Sequence, residues 1–478
     1  MILMQILLAV FTWYALLILT WRNKSFSVFV LISLSFSIGL SVLVTGMFVQ
    51  WFAFNSITIL SPLVIFIWII GVLWRYIYSG SISIWDIVSP LKEDILHIRD
   101  SFFALATRKR CLIIFVSIYC LVKITMAFTT NIHMPTYDED AVAWWDMKTK
   151  IFTYNHSLIL DKTSPEYLGS DLSRLPMAWL IDSYFLLTTQ SIVWYTNIIS
   201  PLVLLMSFLL LLWFLYKKTD LLYAFIYSYI YISLPFIFVH SIGSYWNFPT
   251  WYFLVTIAVL LISSDHRKFS YAMIIAPIIF MLWLIRNESL ITIFIVLISY
   301  IWFYIAIQWK AYSFQFVKKT IVTLFASLVL SFIASKLIVL SYPSAVEMNT
   351  WWVWLSWGMF ASILKNIGES GVLGAPFSQA FYHTDYLLLF MVYLLGLLYW
   401  IYSLIMQKKR MYMINDYIIW LSLVLLLLYL IVLYSNVQWL GLLTHFAFIR
   451  YPVWIVVFIV LASWLSLYPL YDKINQWC

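Results

Sequence analysis

Three consecutive carboxylates, Asp138, Glu139 and Asp140, are the residues of this chain best suited to acid–base chemistry. They follow an apolar run from Cys111 to Thr129 that is long enough to cross a bilayer. Seven of the chain's 20 acidic residues fall between Thr130 and Leu175. A carboxylate beside hydrocarbon is costly unless it faces water, a cation or a substrate, so the acidic cluster predicts a functional site.

The spacing of the two aspartates suggests that they have different roles. In a helix that starts near Asp138, residues two positions apart point in nearly opposite directions, at about 100° per residue. Asp138 and Asp140 cannot then both face one small ligand unless the helix begins between them. One would cap the helix and the other would act on the substrate; alternatively, all three carboxylates only cap and solvate the helix. Lys148 and Lys150, one to two turns farther on, favour a site.

Two further polar groups interrupt the apolar sequence, at residues 286–289 and 444–450. Arg286 could bind a phosphate, because a guanidinium matches phosphate geometry. In the alternative interpretation it pairs with Glu288 in water, a contact that contributes little. In the second group, His445 precedes Arg450, which could bind substrate or simply extend to the lipid headgroups.

Two weaker signals are the short segment from His240 to Pro249 and the lone cation Lys123. Lys123 lies within the run that precedes the acidic cluster, on the outer side of its midpoint, and needs a partner or a water-filled cavity. Several separated polar groups thus fall on one face of the membrane, while the apolar runs are almost free of charge. This pattern indicates an enzyme that acts at the outer interface on a lipid-borne substrate.

The composition places these residues in an all-α polytopic membrane protein. The chain is 64% hydrophobic and only 10% charged, and its mean hydropathy is +0.95, whereas soluble domains carry about 25% charged residues. We expect a single transmembrane domain over residues 1–478, with about 13 membrane-spanning helices and short interfacial helices on the outer loops. The predicted spans are 2–20, 27–49, 56–76, 111–129, 193–216, 221–240, 250–263, 270–285, 290–309, 320–342, 386–406, 417–435 and 449–468.

Basic residues in the short connections set the predicted orientation, because such loops stay in the cytoplasm. Placing every basic connection inside puts a first large loop, 130–192, and a Trp-rich second loop, 343–385, on the outer face. Residues 77–110 then form an inner connection, in which apolar positions such as Ile95 and Ile98 have the spacing typical of a helix that lies with that stripe on the membrane surface. The net charge of +8 is therefore an insertion signal and excludes a nucleic-acid partner. The first apolar run, without a basic leader, is expected to remain as a span.

The cysteines and acids give no reason to expect a cofactor. Cys111 and Cys120 are nine residues apart on one predicted helix, roughly 13 Å, and cannot form a disulfide. A divalent cation could bind the acidic trio, but no separated set of ligands favours one. We expect no cofactor and no metal site.

The order of these motifs resembles the GT-C superfamily of polyprenyl-phosphate-sugar-dependent glycosyltransferases. The matching elements are an acidic cluster after a span, Trp145-Asp-Met-Lys148-Thr-Lys150, Arg174-Leu-Pro176, the segment from His240 to Pro249, the group at Arg286, and Arg450-Tyr-Pro. The superfamily includes the protein mannosyltransferases and the aminoarabinose transferases of lipid A. The resemblance covers roughly residues 111–455 and is closest to bacterial members without an assigned activity.

The resemblance implies roles for individual residues. The family's first large outer loop carries the catalytic carboxylate, often as Asp-Glu; Asp138-Glu139 matches that pair literally, and Asp140 fits better by its spacing to Lys148. The group at 286–289 is similar to a Lys-Asn-Glu-Gly pattern, with Arg and Ser replacing Lys and Gly. Trp246 and Asn247 stand where an Asp-Pro-like element is frequent in the family.

These roles lead to a specific reaction hypothesis. A sugar moves from a polyprenyl phosphate to a hydroxyl of a glycan, lipid or protein acceptor at the outer face of a bacterial inner membrane. Asp140 or Asp138 would be the general base, with Glu139 beside them. The substrate would be bound by a further set of residues: Lys123, Lys148, Arg286, Glu288, His445 and Arg450. The alternatives are a polymerase or ligase of lipid-linked glycans and, in another class, a lipid or glycan transporter.

The predicted orientation has a direct test. A reporter active only outside the cytoplasm, fused at Thr163, should give a strong signal, because the charge pattern places the first large loop outside. A cytoplasmic signal at Thr163 would contradict the whole placement.

Overall fold

A computed structural model describes the fold, and it covers part of the chain. The described residues are 28–54, 56, 58, 69–71, 73–74, 77–78, 84–133, 147–158, 180–183, 186–187, 198–243, 247–263, 275, 278–282, 285, 293, 296–299, 301, 322, 325–330, 332–333, 387–406, 414–435 and 453–477.

The described residues form helices and no strand, which confirms the predicted fold class for them. In chain order the helices are α1 (Val28–Phe54), α2 (Ile84–Ala104), α3 (Thr107–His133), α4 (Met147–Asn155), α5 (Ile199–Tyr216), α6 (Leu221–Ser233), α7 (Pro235–Ser241), α8 (Asn247–Ser263), α9 (Leu387–Met406), α10 (Ile414–Ser435) and α11 (Val453–Trp477).

Five of these helices, α1, α3, α5, α9 and α11, are long and apolar enough to cross a membrane. Two of them, α3 and α9, bury only 28% of their most apolar window. Their exposed side chains are large and apolar, as at Phe115 and Leu398, which are 68% and 63% exposed. Apolar surface of this extent is typical of a helix that faces lipid.

The count of 13 spans stays a prediction. The runs 2–20, 290–309 and 320–342 lie wholly or mostly outside the described residues, as do most of 56–76 and 270–285. The second outer loop, 343–385, is also outside them. The final helix continues to Trp477, past the predicted end at residue 468, and its last turns carry the exposed charges of Asp472 and Lys473.

One predicted span is interrupted. The run 221–240 was expected to be a single helix, but α6 ends at Ser233 and α7 starts at Pro235. Proline has no backbone N–H to donate, and its ring collides with the carbonyl four residues earlier, so a regular helix stops before it. This break ends the long helix early and leaves a separate short helix, α7, that carries His240.

The residues group into two compact units, residues 1–233, 238–289 and 318–345 in the first and residues 234–237, 290–317 and 346–478 in the second. In the first unit α5 is central and contacts α1, α3, α6 and α8. It is buried on nearly all sides because its sequence, from Ile199 to Tyr216, is apolar around its whole circumference.

Helix α1 joins the first unit through a column of hydroxyl side chains. Ser33, Ser37, Ser41 and Thr45 recur every four residues and therefore lie on one face. The Tyr252 hydroxyl donates to the Ser33 carbonyl at 2.7 Å, and the Ser37 hydroxyl donates to the Tyr252 oxygen at 3.0 Å. Small polar residues of this kind let helices approach closely in an apolar medium.

In the second unit α11 packs against both α9 and α10. The contact with α9 centres on Gly396, where an added Cβ would collide with the Ser466 hydroxyl and lie 3.5 Å from the Ser463 Cα. Two polar contacts hold α9 to α10: Tyr393 shares a hydrogen bond of 2.9 Å with Ser422, and the Trp400 ring N–H donates to Asp416 at 2.7 Å.

The close approach at Gly396 gives a stability prediction. Gly396→Ala should lower the unfolding temperature in detergent micelles, because the added Cβ would collide with the Ser466 hydroxyl. Gly396→Leu should lower it further, by an amount equivalent to about 1–3 kcal/mol, because the larger side chain would also press on the main chain at Ser463, which cannot move aside. Adding Ser466→Ala should rescue the alanine variant but not the leucine variant. Leu398→Ala, at a position 63% exposed, is the control; equal losses at both positions would contradict the packing argument.

Candidate functional site

Lys123 is the first candidate residue that the structure describes. Helix α3 presents a buried stripe formed by Ile113, Val116, Cys120, Ile124, Ala127 and Asn131. Lys123 lies beside that stripe and is half-buried. Its Nζ is 4.3 Å from the centre of the Phe238 ring and 5.8 Å from that of Tyr119. The partner that a cation in this position needs is thus an aromatic pair, because ring faces attract a cation.

Asn131 joins the end of α3 to Ser241, the last residue of α7. The Asn131 side-chain amide donates to the Ala127 carbonyl at 2.8 Å and to the Ser241 carbonyl at 2.9 Å. The first bond is made within α3, one turn before Asn131. The second bond links two segments that are 110 residues apart in sequence.

A third helix end meets the same place. Ser200 lies in the first turn of α5, and its hydroxyl donates to the Gly243 carbonyl at 2.9 Å. The carbonyls of Ser241 and Gly243 are thus both bound by side chains from neighbouring helix ends. We refer to Asn131, Ser200, His240, Ser241 and Gly243 as the polar junction.

The junction is shielded from solvent. Asn131 and His240 are 1% and 0% exposed, and Ser241 is 0% exposed. The Asn131 Oδ1 is buried and makes no hydrogen bond within the described part of the chain. A buried acceptor without a donor is costly. This oxygen is therefore suited to accept a hydrogen bond from a hydroxyl group, either of a ligand or of another segment of the same chain.

Lys148 lies on α4, directly after the segment that contains the acidic cluster. Its side chain is 7% exposed, and the neighbouring Thr149 is 1% exposed. A lysine is rarely buried unless it is paired, so its burial separates it from the exposed Lys150 two residues later.

The remaining candidate residues lie outside the described part of the chain. They are Asp138, Glu139, Asp140, Arg286, Glu288, His445 and Arg450. Their assignment to the site stays a prediction, as does a helix opening at the acidic cluster.

The structure joins two of the predicted groups. Lys123 was a separate signal from the segment 240–249, and its contact with Phe238 places it against the helix that carries His240.

Sequence reasoning missed two members of the junction, Asn131 and Ser200, and it included Gly243 only as part of the segment from His240 to Pro249. Asn131 could have been found, as a carboxamide two residues past the end of the apolar run. Ser200 and Gly243 carry no such signal, because their roles depend on a main-chain carbonyl that folding brings near.

Within the described residues, no group of three or more His, Cys, Asp or Glu could hold a metal ion. Cys111 and Cys120 are both free thiols, as their spacing predicts. The described candidates therefore offer a cation beside aromatic rings, at Lys123, and a buried amide oxygen without a donor among the described residues, at Asn131.

No protein-family model, curated protein or solved structure matches the chain significantly.

The Asn131 bond predicts how the junction responds to mutation. Asn131→Leu should destabilise the protein by about 1 kcal/mol, because the Ser241 carbonyl loses a donor in an apolar setting. Amide hydrogen exchange in residues 240–249 should become faster in the variant. Thr129→Val is the control, since Thr129 is exposed and its hydroxyl donates only within α3, to the Met126 carbonyl. Equal exchange rates in the two variants would contradict the joining role.

Proposed function

We propose that the protein is a membrane glycosyltransferase that moves a sugar from a polyprenyl-phosphate donor to a hydroxyl acceptor. The acceptor is a glycan, a lipid or a protein, and the site faces outward from a bacterial inner membrane. The observation that carries the proposal is the polar junction, because it gathers buried polar groups at the end of α3, the helix that leads directly to the three carboxylates.

Chain connectivity limits how far the carboxylates can lie from this junction. Asp138 follows His133, the last residue of α3, by five positions. An extended chain of that length reaches about 18 Å at most. The segment ends at α4, where Lys148 is buried. The acidic cluster is therefore tied at one end to the junction and at the other to a buried cation.

The proposed chemistry needs one base and a set of cations. Asp140 or Asp138 removes the proton of the acceptor hydroxyl as its oxygen attacks the anomeric carbon of the donor sugar. The bond from that carbon to the phosphate oxygen breaks, and the lipid phosphate leaves as a stable anion. Arg286 and Arg450 stabilise the growing negative charge of the phosphate. The other substrate-binding residues are Glu288, His445, Lys148 and Lys123.

Lys123 lies away from the polar junction along α3. It precedes Asn131 by eight residues, about 12 Å along the helix axis. A lysine at that level can bind the donor only if the lipid phosphate lies farther along α3 from the junction than the acceptor does. We therefore assign Lys123 to the lipid phosphate and the acidic cluster to the acceptor.

One observation favours the transporter alternative. Interrupted helices are typical of transporters, and α6 and α7 form an interrupted pair. The three consecutive carboxylates have no role in that alternative, whereas a transferase uses one as a base. We therefore rank the transferase first.

The main test is turnover by the purified protein. Donors from a panel of polyprenyl-phosphate sugars are added with candidate acceptors, and released lipid phosphate is measured. Replacing the base, by Asp138→Asn or Asp140→Asn, should lower turnover by about 10²–10⁴-fold. The other aspartate, if it caps the helix, should instead lower the unfolding free energy by about 1 kcal/mol. Glu93→Gln, an exposed carboxylate on α2, is the matched control.

The outcomes separate the alternatives. Wild-type turnover that survives both aspartate substitutions would contradict the base assignment. Release only from oligosaccharide-linked lipids would identify a glycan polymerase or ligase. Lipid movement across vesicle membranes, with no release from any donor, would identify a transporter.

A further inference from the structure

Helix α2 is held against the helix ends opposite the polar junction. Its Ile98 and Phe102 pack on a buried cluster of Ile113, Leu221 and Leu222 from α3 and α6. Polar contacts add to this packing where α5 ends. The Tyr216 hydroxyl shares hydrogen bonds of 2.7 Å with Ser101 and with His97. One side of α2, including Ile98, thus packs against the rest of the protein. The sequence had predicted Ile98 on the stripe that faces the membrane.

The opposite side of α2 is exposed and carries large apolar residues. Trp85, Ile95 and Phe103 are 74%, 51% and 60% exposed. At 100° per residue these three side chains fall within an arc of about 80°, and so do Lys92 and Arg99. The acids Glu93, Asp94 and Asp100 point away from this arc; Asp100 pairs with Arg99 at 2.8 Å.

Cations gather at the C-terminal end of α2. Leu105, in the turn between α2 and α3, packs in the same cluster as Tyr216. Arg108 follows Leu105 by three positions and Lys217 follows Tyr216 directly, so both lie beside that cluster. Arg108, Lys217 and Lys218 are all exposed, and we refer to them as the basic junction.

Asp220, two residues after Lys218, caps a helix. Its carboxylate accepts a hydrogen bond of 2.8 Å from the backbone N–H of Tyr223, at the start of α6. Arg110 bonds locally, donating to the Thr107 hydroxyl at 3.2 Å. The three side chains of the basic junction therefore remain the best placed to meet an external anion.

Exposed apolar surface continues directly from the basic junction along α3. Leu112 and Phe115, one and two turns past Arg108, are 42% and 68% exposed. Cations followed along one helix by exposed apolar side chains match a molecule with an anionic head and a hydrocarbon tail. A soluble protein or nucleic acid would satisfy only the charges.

We propose that the basic junction, with the exposed face of α2, binds an anionic phospholipid. Its phosphate contacts Arg108, Lys217 and Lys218, its acyl chains lie along α3, and Trp85, Ile95 and Phe103 insert at headgroup depth. This site is at the other end of the helices from the polar junction and does not depend on the glycosyltransferase proposal.

The test uses the full-length protein in detergent, with lipid retention measured by native mass spectrometry. Phosphatidylglycerol and phosphatidylcholine with the same acyl chains are the probes. The wild type should retain phosphatidylglycerol more tightly, and Lys217→Gln/Lys218→Gln should weaken that retention about 25-fold, or about fivefold per cation. Retention of phosphatidylcholine should not change. Lys473→Gln, an exposed cation at the end of α11, is the matched control.

A second variant keeps every charge, so it controls for a change in how the protein inserts into the membrane. Trp85→Ser/Phe103→Ser should also weaken retention of phosphatidylglycerol, while the unfolding temperature without lipid stays near that of the wild type. Equal retention of the two lipids by the wild type would overturn the proposal. So would full retention of phosphatidylglycerol by the Lys217→Gln/Lys218→Gln protein.

Discussion

The hydrogen bonds of the Asn131 amide hold the end of α3 against α7. One bond lies within α3, to the Ala127 carbonyl, and the other holds the Ser241 carbonyl 110 residues later in the chain. In an apolar medium each backbone carbonyl must find a donor, and Asn131 supplies one to the last residue of α7. With the bond from Ser200 to Gly243, the ends of α3 and α7 and the start of α5 meet at this place.

The break at Pro235 belongs to the same constraint. Without it, α6 would continue as a regular helix, and Phe238 would not be supplied by the separate short helix α7. With it, the Phe238 ring covers the Lys123 ammonium at 4.3 Å, which gives a cation on an apolar helix a favourable neighbour.

Much of the helical architecture was predictable, because hydrocarbon restricts spanning segments to long apolar helices. The ranges predicted for α9 and α10 lie within three residues of the observed helices. The interruption at Pro235 was missed, since hydropathy averages over a window and does not register one missing N–H. On α2, apolar spacing identified the helix but assigned Ile98 to the wrong side; an amphipathic pattern does not say whether protein or lipid covers the stripe.

The candidate site was less predictable for a different reason. Charged side chains are easily recognised in an apolar sequence, and Lys123 and the acidic cluster were found in this way. Ser200 and Gly243 act through a hydroxyl and a main-chain carbonyl that every protein contains in quantity. Only their proximity, which the sequence does not record, distinguishes them.

The column of hydroxyls on α1 has a consequence for how that helix is aligned. Since Ser33, Ser37, Ser41 and Thr45 repeat every four residues, sliding α1 by four residues, about 6 Å, would present Ser37 and Ser41 to Tyr252 in place of Ser33 and Ser37. The serine hydrogen bonds to Tyr252 could therefore form in either alignment. The two alignments differ at Phe36, whose ring lies 6.0 Å from that of Tyr252 and would be exchanged for Leu40. Aromatic contacts of this kind thus favour the alignment that the serines alone leave open.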